Sequence, residues 1–211
     1  AQIIPAMPFA DRALGSNSRA RSCFRQQWLR FDWLTSVLWL LLSGCARHES
    51  PADVTIINGN EPESVDPHIV TGVSEMRITK ALFDGLTKLD PHHAAPVPAL
   101  AERWEISPDG KTYTFQIRTN AVWSTGEPIT TTDVVWSWFR ALSPATAGDY
   151  AGQLFCIKGA EEWYNGKLTN RTQVGIQALN AHTLSVELNS PLAFFLELCS
   201  FPTLAVVPRQ V

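Results

Sequence analysis

Paired carboxylates and paired histidines are the side chains of this 211-residue sequence that could carry acid–base or metal chemistry. Glu161 and Glu162 are neighbours, so on a helix they would point to different parts of the surface. His92 and His93 are also neighbours, and no third ligand follows at a metal-like spacing. The sequence has no Gly-x-Ser-x-Gly turn and no glycine-rich phosphate loop after a strand. We therefore expect solvated side chains here, and no enzyme active site, bound metal or cofactor.

Residues 1–44 have the layout of an export leader. Arginines precede an apolar stretch over residues 33–42, and a small-residue site follows directly, as is typical of a secretory signal. Leu42-Ser43-Gly44-Cys45 also resembles the lipobox of bacterial lipoproteins, in which the cysteine is acylated and becomes the mature N-terminus. The sequence therefore predicts a leader over 1–44, with 1–20 as an upstream extension, and a lipid anchor at Cys45.

A membrane-spanning helix over residues 28–42 is the alternative to a leader. This stretch is shorter than the ~20 apolar residues that a span needs, and Arg30 and Asp32 interrupt it. We therefore favour a cleaved leader, after which the chain is about one domain long.

The composition is that of an ordinary globular protein. Hydrophobic residues make up 45% of the chain, which is enough for a core, and the net charge is only −3. Since no run of lysine or arginine forms a basic stripe, we expect no nucleic-acid partner.

Two cysteines, Cys156 and Cys199, would remain beyond the anchor, because Cys23 lies in the leader. Export permits a disulfide between them. Their spacing has no recognisable signature, so the pairing stays open.

A strand-turn-strand unit stands at the centre of the sequence. Apolar and polar residues alternate over 103–107 and again over 112–118, which predicts two strands with one buried face. The apolar members are Trp104, Ile106, Tyr113, Phe115 and Ile117. Ser107-Pro108-Asp109-Gly110 lies between the strands and combines turn-forming residues, so the pair should be a hairpin.

A helix is predicted after a loop over residues 122–128. Thr130 followed by Asp133 is a capping-box pattern, and an acidic residue suits a helix start. Apolar residues then recur at helical spacing, namely Val134, Val135, Trp138, Phe139 and Leu142. We expect this helix to pack one face on the sheet, with its aromatic residues in the core.

The remaining elements follow from the same kinds of signal. Towards the N-terminus we predict a strand over 54–57, a loop over 58–68 and a linker over 88–98. Between the loop and the linker we predict a helix that is opened by Ser74 and Glu75 and has Gly85 as its C-cap. Its apolar face would consist of Ile78, Ala81 and Leu82. Towards the C-terminus we predict a loop over 143–150, a helix over 159–165 ended by Gly166, a hairpin of 174–179 with 183–188, and a helix from Pro191 through Leu198.

Several short motifs follow one another in a specific order along the sequence. They are Ser-Val-Asp-Pro-His, Phe-Asp-Gly-Leu, Pro-Ala-Leu-Ala-Glu-Arg-Trp, Ser-Pro-Asp-Gly, Phe-Gln-Ile-Arg, Trp-Ser-Thr-Gly and Thr-Thr-Thr-Asp-Val-Val-Trp-Ser-Trp. This series resembles the N-terminal part of the oligopeptide-binding and dipeptide-binding family of ABC-transporter solute receptors, solute-binding protein family 5. The resemblance covers roughly residues 54–211, and so many matches in one order are not expected by chance.

The resemblance implies a mixed α/β (α+β) fold like that of type II periplasmic-binding proteins, present here in part. Residues 45–83 would supply the first segment of the ligand-binding lobe, residues 84–207 a smaller accessory domain, and residues 208–211 the start of the return to the lobe. Receptors of this family are two-lobed clamps whose lobes are completed by chain beyond this length. We therefore expect a truncated N-terminal portion.

The resemblance also implies ligand contacts for Thr71, Gly72 and Val73. In oligopeptide receptors the matching stretch pairs its backbone with the bound peptide as an extra strand. A receptor for peptides of varied sequence must bind the main-chain groups that all peptides share, and glycine lets two backbones approach closely. From the residues alone, Gly72 would instead merely permit a loop turn.

Tyr150 matches an aromatic position that faces the ligand in the peptide receptors. Its ring offers a surface for the ligand, and its hydroxyl offers a polar contact. A structural tyrosine is the alternative.

Together with the leader, the resemblance predicts the extracytoplasmic peptide-binding component of an ABC importer. It would be periplasmic or at the cell surface, anchored to the membrane through Cys45, and would present peptide to an ABC permease and ATPase complex by clamp closure. Two alternatives stay open. One is a receptor for a non-peptide ligand such as a metal chelate, sugar or haem, and the other is a non-transporting surface lipoprotein or inert remnant.

Overall fold

The helices and strands of residues 55–210 are described by a computed structural model. In chain order the α-helices are α1 (Val73–Leu82), α2 (Thr131–Ala141), α3 (Ala160–Tyr164) and α4 (Phe195–Leu198), and short 3-10 helices, including Ala151–Cys156, lie between and after them. The strands are β1 (Thr87–Leu89), β2 (Pro96–Pro98), β3 (Ala101–Ile106), β4 (Thr112–Ile117), β5 (Ile176–Ala178) and β6 (Thr183–Glu187). This mixture confirms the predicted fold class. The predicted leader, with Cys23, Cys45 and Val54, lies outside the described residues.

Strands β3, β4, β6 and β5 form one antiparallel sheet in that order. Both predicted hairpins are confirmed, because β3 pairs with β4 and β5 pairs with β6. Along β4, Tyr113, Phe115 and Ile117 are buried and alternate with partly exposed residues, as a period of two requires. The sheet therefore has one face in the hydrophobic core.

Strand β3, at the edge of the sheet, follows the predicted pattern only in part. Trp104 packs near Phe115, with ring centroids 6.4 Å apart. Ile106, in contrast, is 48% exposed, so the prediction that it faces the core is wrong. The register shifts between Ala101 and Arg103, and an edge strand with such an irregularity does not cover one face evenly.

The turn between β3 and β4 has the predicted chemistry. Gly110 adopts a φ of +70°, and its N–H donates to the carbonyl of Ser107 (2.8 Å). The carboxylate of Asp109 accepts the N–H of Lys111 (3.1 Å). The turn therefore matches the role predicted for its glycine and aspartate.

Helix α2 begins with the predicted capping box. The N–H of Thr130 donates to Oδ2 of Asp133 (2.9 Å). The opposite end of the helix binds the C-terminal segment: the Trp138 indole N–H donates to the carbonyl of Leu204 (2.9 Å), and the Val207 N–H donates to Oγ of Ser137 (3.0 Å). Buried side chains of this helix include Val134, Trp138 and Phe139, which confirms the predicted packing face.

The segment before α1 differs from the prediction. Residues 55–57 form no strand with any described residue, and Ile57 is 91% exposed. Without a neighbouring strand, a short apolar run has no partner for its backbone. The predicted strand is therefore wrong over 55–57.

Helix α1 is confirmed, but its predicted ends and face need correction. It begins one residue before Ser74 and ends at Leu82, and the extended residue Phe83 is its C-cap, so Gly85 is not the C-cap. A Cβ at Gly85 would collide with the carbonyl of Cys199, so this glycine serves close packing. Leu82 is 61% exposed and Thr79 is the buried residue, so the predicted apolar face is wrong. Within residues 55–210 no helix has the length and apolar character needed to cross a membrane.

The predicted linker over residues 88–98 is also wrong. Strands β1 and β2 pair through it as an antiparallel ribbon, with Leu89 opposite Pro96. In a two-stranded ribbon each strand is an edge, where proline is tolerated. His92 and His93 are exposed in the connecting turn, as expected, and their N–H groups donate to Oδ1 of Asp90 (2.9 Å each).

In the C-terminal part, α3 and its terminating Gly166 are confirmed. Helix α4 starts at Phe195, so the prediction of a helix from Pro191 is wrong at its start. The carbonyl of Leu192 accepts the hydroxyl of Tyr113 (3.2 Å), which ties this segment to the sheet before the helix begins.

Candidate functional site

The backbone of residues 71–73 lies open to solvent where the chain enters α1. Thr71 is exposed and Val73 is 74% exposed. Gly72 is extended, with φ −82° and ψ 152°, and its carbonyl accepts the first N–H of the helix, from Met76 (3.0 Å). Within residues 55–210, the N–H groups of Thr71, Gly72 and Val73 and the carbonyl of Thr71 have no hydrogen-bonding partner. This stretch is therefore free to pair with the main chain of a bound molecule.

The backbone conformation of Gly72 does not require glycine, and the nearest group that a Cβ would displace is the end of the Glu75 side chain. Its negative φ suits any residue, but a Cβ at this position would collide with the carboxylate of Glu75. Oε1 of that carboxylate lies 3.4 Å from the Glu63 N–H, and Oε2 is buried with no partner among the described residues. Gly72 therefore does not serve a left-handed turn. It leaves room for Glu75 beside an extended backbone.

Tyr150 lies in the segment between α2 and α3 and is half-buried. Its ring meets Phe201 edge to face, with centroids 5.4 Å apart and planes inclined by 83°. Pairs of this geometry are favourable beyond the area that they bury. The contact orients the Tyr150 ring and leaves part of it exposed.

A cluster of polar side chains lies just before residues 71–73. Arg140, in the last turn of α2, donates from Nη1 to Oδ1 of Asp66 (3.1 Å) and from Nη2 to Oδ2 (2.5 Å). The same Nη1 is 2.7 Å from Nδ1 of His68, whose Nε2 is 3.1 Å from the carbonyl of Ala205. A guanidinium only donates and a carbonyl only accepts, so these contacts require neutral His68 with its proton on Nε2. The cluster ties three distant segments together.

Burial and charge set the protonation states in this cluster. Burial acts to raise the pKa of Asp66, but hydrogen bonds from the Arg140 side chain and the His68 N–H, with the charge of Arg140, outweigh it and lower the pKa. Burial lowers the pKa of His68, and the charge of Arg140 adds to this, against the opposing effects of the Ala205 carbonyl and Asp66. At neutral pH the cluster therefore holds an ion pair and an uncharged imidazole.

His68 also links the segment of Tyr150 to the loop that leads to residue 71. A Cβ at Gly148 would collide with the carbonyl oxygen of His68, so the two backbones are in close contact. Among residues 55–210, no hydrogen bond or aromatic contact joins Tyr150 directly to residues 71–73. The two predicted ligand contacts thus lie on different segments that meet at His68.

Sequence reasoning missed the roles of Asp66, His68 and Arg140. The Asp-Pro-His motif entered only as part of the resemblance, and no role was predicted for Arg140. The signal that the sequence offers is an arginine in the last turn of a helix that has a buried face. The guanidinium of such an arginine ordinarily donates to the last carbonyls of the helix or to a partner group. Its actual partner is 74 residues away.

Both cysteines of the described chain are free thiols. Burial raises the pKa of Cys156 to about 11, and burial raises the pKa of Cys199 well above its usual value. No disulfide joins them in the structure, which answers the question left open by their spacing.

Metal-ligating side chains do not cluster among the described residues. Over residues 55–210 no group of three or more His, Cys, Asp and Glu side chains could hold a metal ion. The candidate site consists of the open backbone of residues 71–73 and the Tyr150 ring.

Comparison with known proteins identifies the family. The sequence profile described as "Bacterial extracellular solute-binding proteins, family 5 Middle" matches residues 95–210, more than half of the chain. This chain belongs to that family. The predicted recognition is confirmed for this family 5 chain.

Individual relatives match the family 5 chain over most of its own length. The periplasmic oligopeptide-binding protein OppA of Escherichia coli (strain K12) is 40% identical over 171 residues, which are 75% of this chain and 31% of the relative. The probable deoxycholate-binding periplasmic protein YgiS of the same strain is 38% identical over 156 residues, 73% of this chain and 29% of the relative. The crystal structure of Haemophilus influenzae OppA in complex with RPPGFSPFR aligns with a TM-score of 0.68 and 35% identity, covering 72% of this chain and 30% of that chain.

The family 5 chain therefore spans about 30% of the length of the relatives that it matches. Its structural neighbours are type II periplasmic-binding proteins, so residues 55–210 form part of that fold, as predicted. The relatives are solute-binding proteins rather than enzymes. Residues from Ile56 onwards form one compact unit, and the predicted boundary between 83 and 84 stays a prediction.

Proposed function

We propose that the family 5 chain is part of the extracytoplasmic peptide-binding component of an ABC importer. The family match carries this proposal, and the open backbone of residues 71–73 supports it. Binding is non-covalent and needs no cofactor. The ligand is passed to an ABC permease and ATPase complex after clamp closure.

The main chain of residues 71–73 pairs with the main chain of the peptide. Three N–H groups and the Thr71 carbonyl are unpaired within the described chain, and every peptide presents complementary groups whatever its sequence. The backbone of Gly72 is extended, close to polyproline II values, which leaves its N–H open to the main chain of a ligand. Side-chain identity in the ligand therefore matters little at this contact.

Tyr150 supplies the second contact. Its ring is oriented by Phe201, so little rotational freedom is lost when a ligand lies against it. The partly exposed ring gives an apolar surface, and the hydroxyl gives a polar group.

Export and anchoring follow from the leader. Residues 1–44 direct export, and acylation of Cys45 holds the protein at the outer side of the membrane. The extracellular setting of the family supports export, and the Leu42–Cys45 motif supports the anchor. More than one acyl chain on the cysteine makes the attachment stable.

The chemical class of the ligand has one specific rival. A relative named as a probable deoxycholate-binding protein is 38% identical to this chain, close to the 40% of an oligopeptide receptor. Deoxycholate has no peptide main chain, so it could not pair with residues 71–73 as a strand. The two classes therefore make different demands on the same segment.

Calorimetry with a peptide, its N-methylated analogues and deoxycholate tests the proposal. The full-length gene product is titrated with a mixed set of short peptides, and the tightest binder is then N-methylated at one peptide bond at a time. Loss of the N–H that pairs with the Thr71 carbonyl should weaken binding by about tenfold, the cost of one main-chain hydrogen bond. Replacing the side chain at that same ligand position is the matched control and should change affinity much less. Binding of deoxycholate with no binding of any peptide would overturn the peptide assignment.

A further inference from the structure

His68 is held from three directions. Its Nδ1 contacts Arg140 (2.7 Å), its Nε2 contacts the Ala205 carbonyl (3.1 Å), and its own carbonyl lies against Gly148 with no space for a Cβ. The residue is only 1% exposed, so water cannot replace these contacts. His68 therefore moves only together with its three partners.

The two candidate ligand contacts are attached to this fixed point by short pieces of chain. Residues 71–73 follow His68 closely, and the intervening Val70 is buried. Tyr150 comes two positions after Gly148. Since each residue spans at most ~3.6 Å, so short a connection absorbs little displacement. A shift at His68 would reach both contacts.

Arg140 restricts the movement of His68. Its two hydrogen bonds to Asp66 are a fork-to-fork arrangement, which sets direction as well as distance. The Arg140 and Asp66 side chains are 19% and 17% exposed, so the pair is shielded from competing water. A lysine would keep the charge, but a single ammonium cannot hold both carboxylate oxygens and the imidazole in one plane.

We propose that the Asp66–His68–Arg140 cluster is a positioning device that holds the backbone of residues 71–73 in register with the Tyr150 ring. The inference rests on the proposed function, because it states how that same site keeps its shape. Disturbing the cluster lowers ligand affinity without removing any group assigned to the ligand. It also couples the two contacts, which would otherwise contribute independently.

A double-mutant cycle measures this coupling. R140K, Y150A and the double variant are made in the full-length gene product, and affinity for one short peptide is measured well below the unfolding temperature of each. R140K should weaken binding by roughly three- to thirtyfold, the range for disturbed coupling networks. Y150A should cost clearly less in the R140K background than in the wild type. R103K is the matched arginine-to-lysine control, because the Arg103–Glu102 pair is exposed, and it should leave affinity within about twofold.

Two glycine substitutions test the cluster without changing its ion pair. G148A presses on the His68 carbonyl without touching the ion pair, and it should weaken binding over a similar range. G152A is the matched control, because a Cβ at Gly152 meets nothing closer than 4.0 Å. G148A carries the test if R140K does not fold.

The outcomes separate this inference from the proposed function. If the wild type binds peptide while R140K and G148A bind it equally well, or if R140K and Y150A act additively, the positioning role is wrong and the function stands. If the wild type binds no peptide, the proposed function is wrong and the positioning role falls with it. Weaker, non-additive binding with unchanged R103K and G152A supports both.

Discussion

Arg140 and Asp66 are 74 residues apart in the sequence, yet their side chains form two hydrogen bonds, of 3.1 and 2.5 Å. The pair joins the loop before α1 to the last turn of α2. Both side chains are less than one-fifth exposed, whereas the Lys158–Glu187 pair at 2.7 Å is about half exposed. The two pairs should therefore differ in what they contribute to stability.

D66N should lower the free energy of unfolding by about 1–3 kcal/mol. Asparagine keeps the shape of the side chain but removes its charge, which leaves Arg140 charged and poorly compensated. For a chain of this length each kcal/mol corresponds to a fall of roughly 2–4 °C in Tm. Urea denaturation measures the change. E187Q, which breaks the exposed pair, should cost at most about 1 kcal/mol, and equal losses from both variants would contradict the distinction.

Acid should destabilise the protein in two steps. Burial lowers the pKa of His68 in the folded state, so keeping this imidazole neutral contributes to the stability of the fold. That contribution is complete above pH 6.5, the ordinary pKa of histidine, and is lost as the pH falls from there through the folded-state pKa. The folded-state pKa of Asp66 is also lowered, because hydrogen bonds and the charge of Arg140 outweigh the opposing effect of burial. Its contribution is complete above 3.8 and is lost below. Urea midpoints measured between about pH 8 and pH 3 report both steps.

The first acid step can be assigned by substitution. H68Q keeps an amide donor for the Ala205 carbonyl but cannot take up a proton, so the step beginning near 6.5 should disappear. H92Q alters an exposed histidine in the turn between β1 and β2 and should retain that step. A step of unchanged size in H68Q would show that another group is responsible.

Local patterns predicted the parts of the fold that short stretches of sequence determine. The hairpin of β3 and β4 follows from a period of two and from Gly110, and the start of α2 follows from Thr130 and Asp133. Each of these signals lies within a few residues of its partner. The family resemblance then predicted residues 71–73 and Tyr150 as ligand contacts, which stays a prediction.

Long-range contacts account for what the sequence did not predict. Pro96 and Pro98 indicated a linker, yet pairing with Thr87–Leu89 forms a ribbon. Gly85 was predicted to cap a helix, but it instead allows the close approach of the Cys199 carbonyl, which leaves no space for a Cβ. The ion pair between Arg140 and Asp66 joins residues that are 74 positions apart, and no periodic pattern in the sequence indicates it. Tertiary contacts thus override local signals at each of these positions.

Both described thiols should react slowly in the folded protein. Burial raises the pKa of Cys156 to about 11 and also raises the pKa of Cys199 well above its usual value, so little thiolate forms at neutral pH. Cys156 is partly exposed and Cys199 is buried, so Cys156 should be alkylated first. Peptide mapping after timed treatment with N-ethylmaleimide follows each residue separately. Denaturant should make both fully reactive. Failure of both to react after unfolding would indicate a disulfide and contradict the free thiols.

V73P tests main-chain pairing without removing any hydrogen bond within the described chain. Val73 is the first residue of α1, where proline is favoured, and the extended Gly72 before it suits a residue that precedes proline. Because the Val73 N–H has no partner among residues 55–210, its loss should leave the free energy of unfolding unchanged or slightly higher. Peptide affinity should nevertheless fall by about tenfold, since one main-chain donor is gone.

V73A is the control for V73P, because it truncates the same exposed side chain and keeps the N–H. Calorimetry with one peptide should give an affinity for V73A within about threefold of the wild type, since an exposed side chain contributes little to main-chain pairing. The ratio between the two variants therefore reports the hydrogen bond itself. If V73P and V73A bind the peptide equally well, residue 73 donates no main-chain hydrogen bond to the ligand, and the strand-like pairing must be assigned elsewhere.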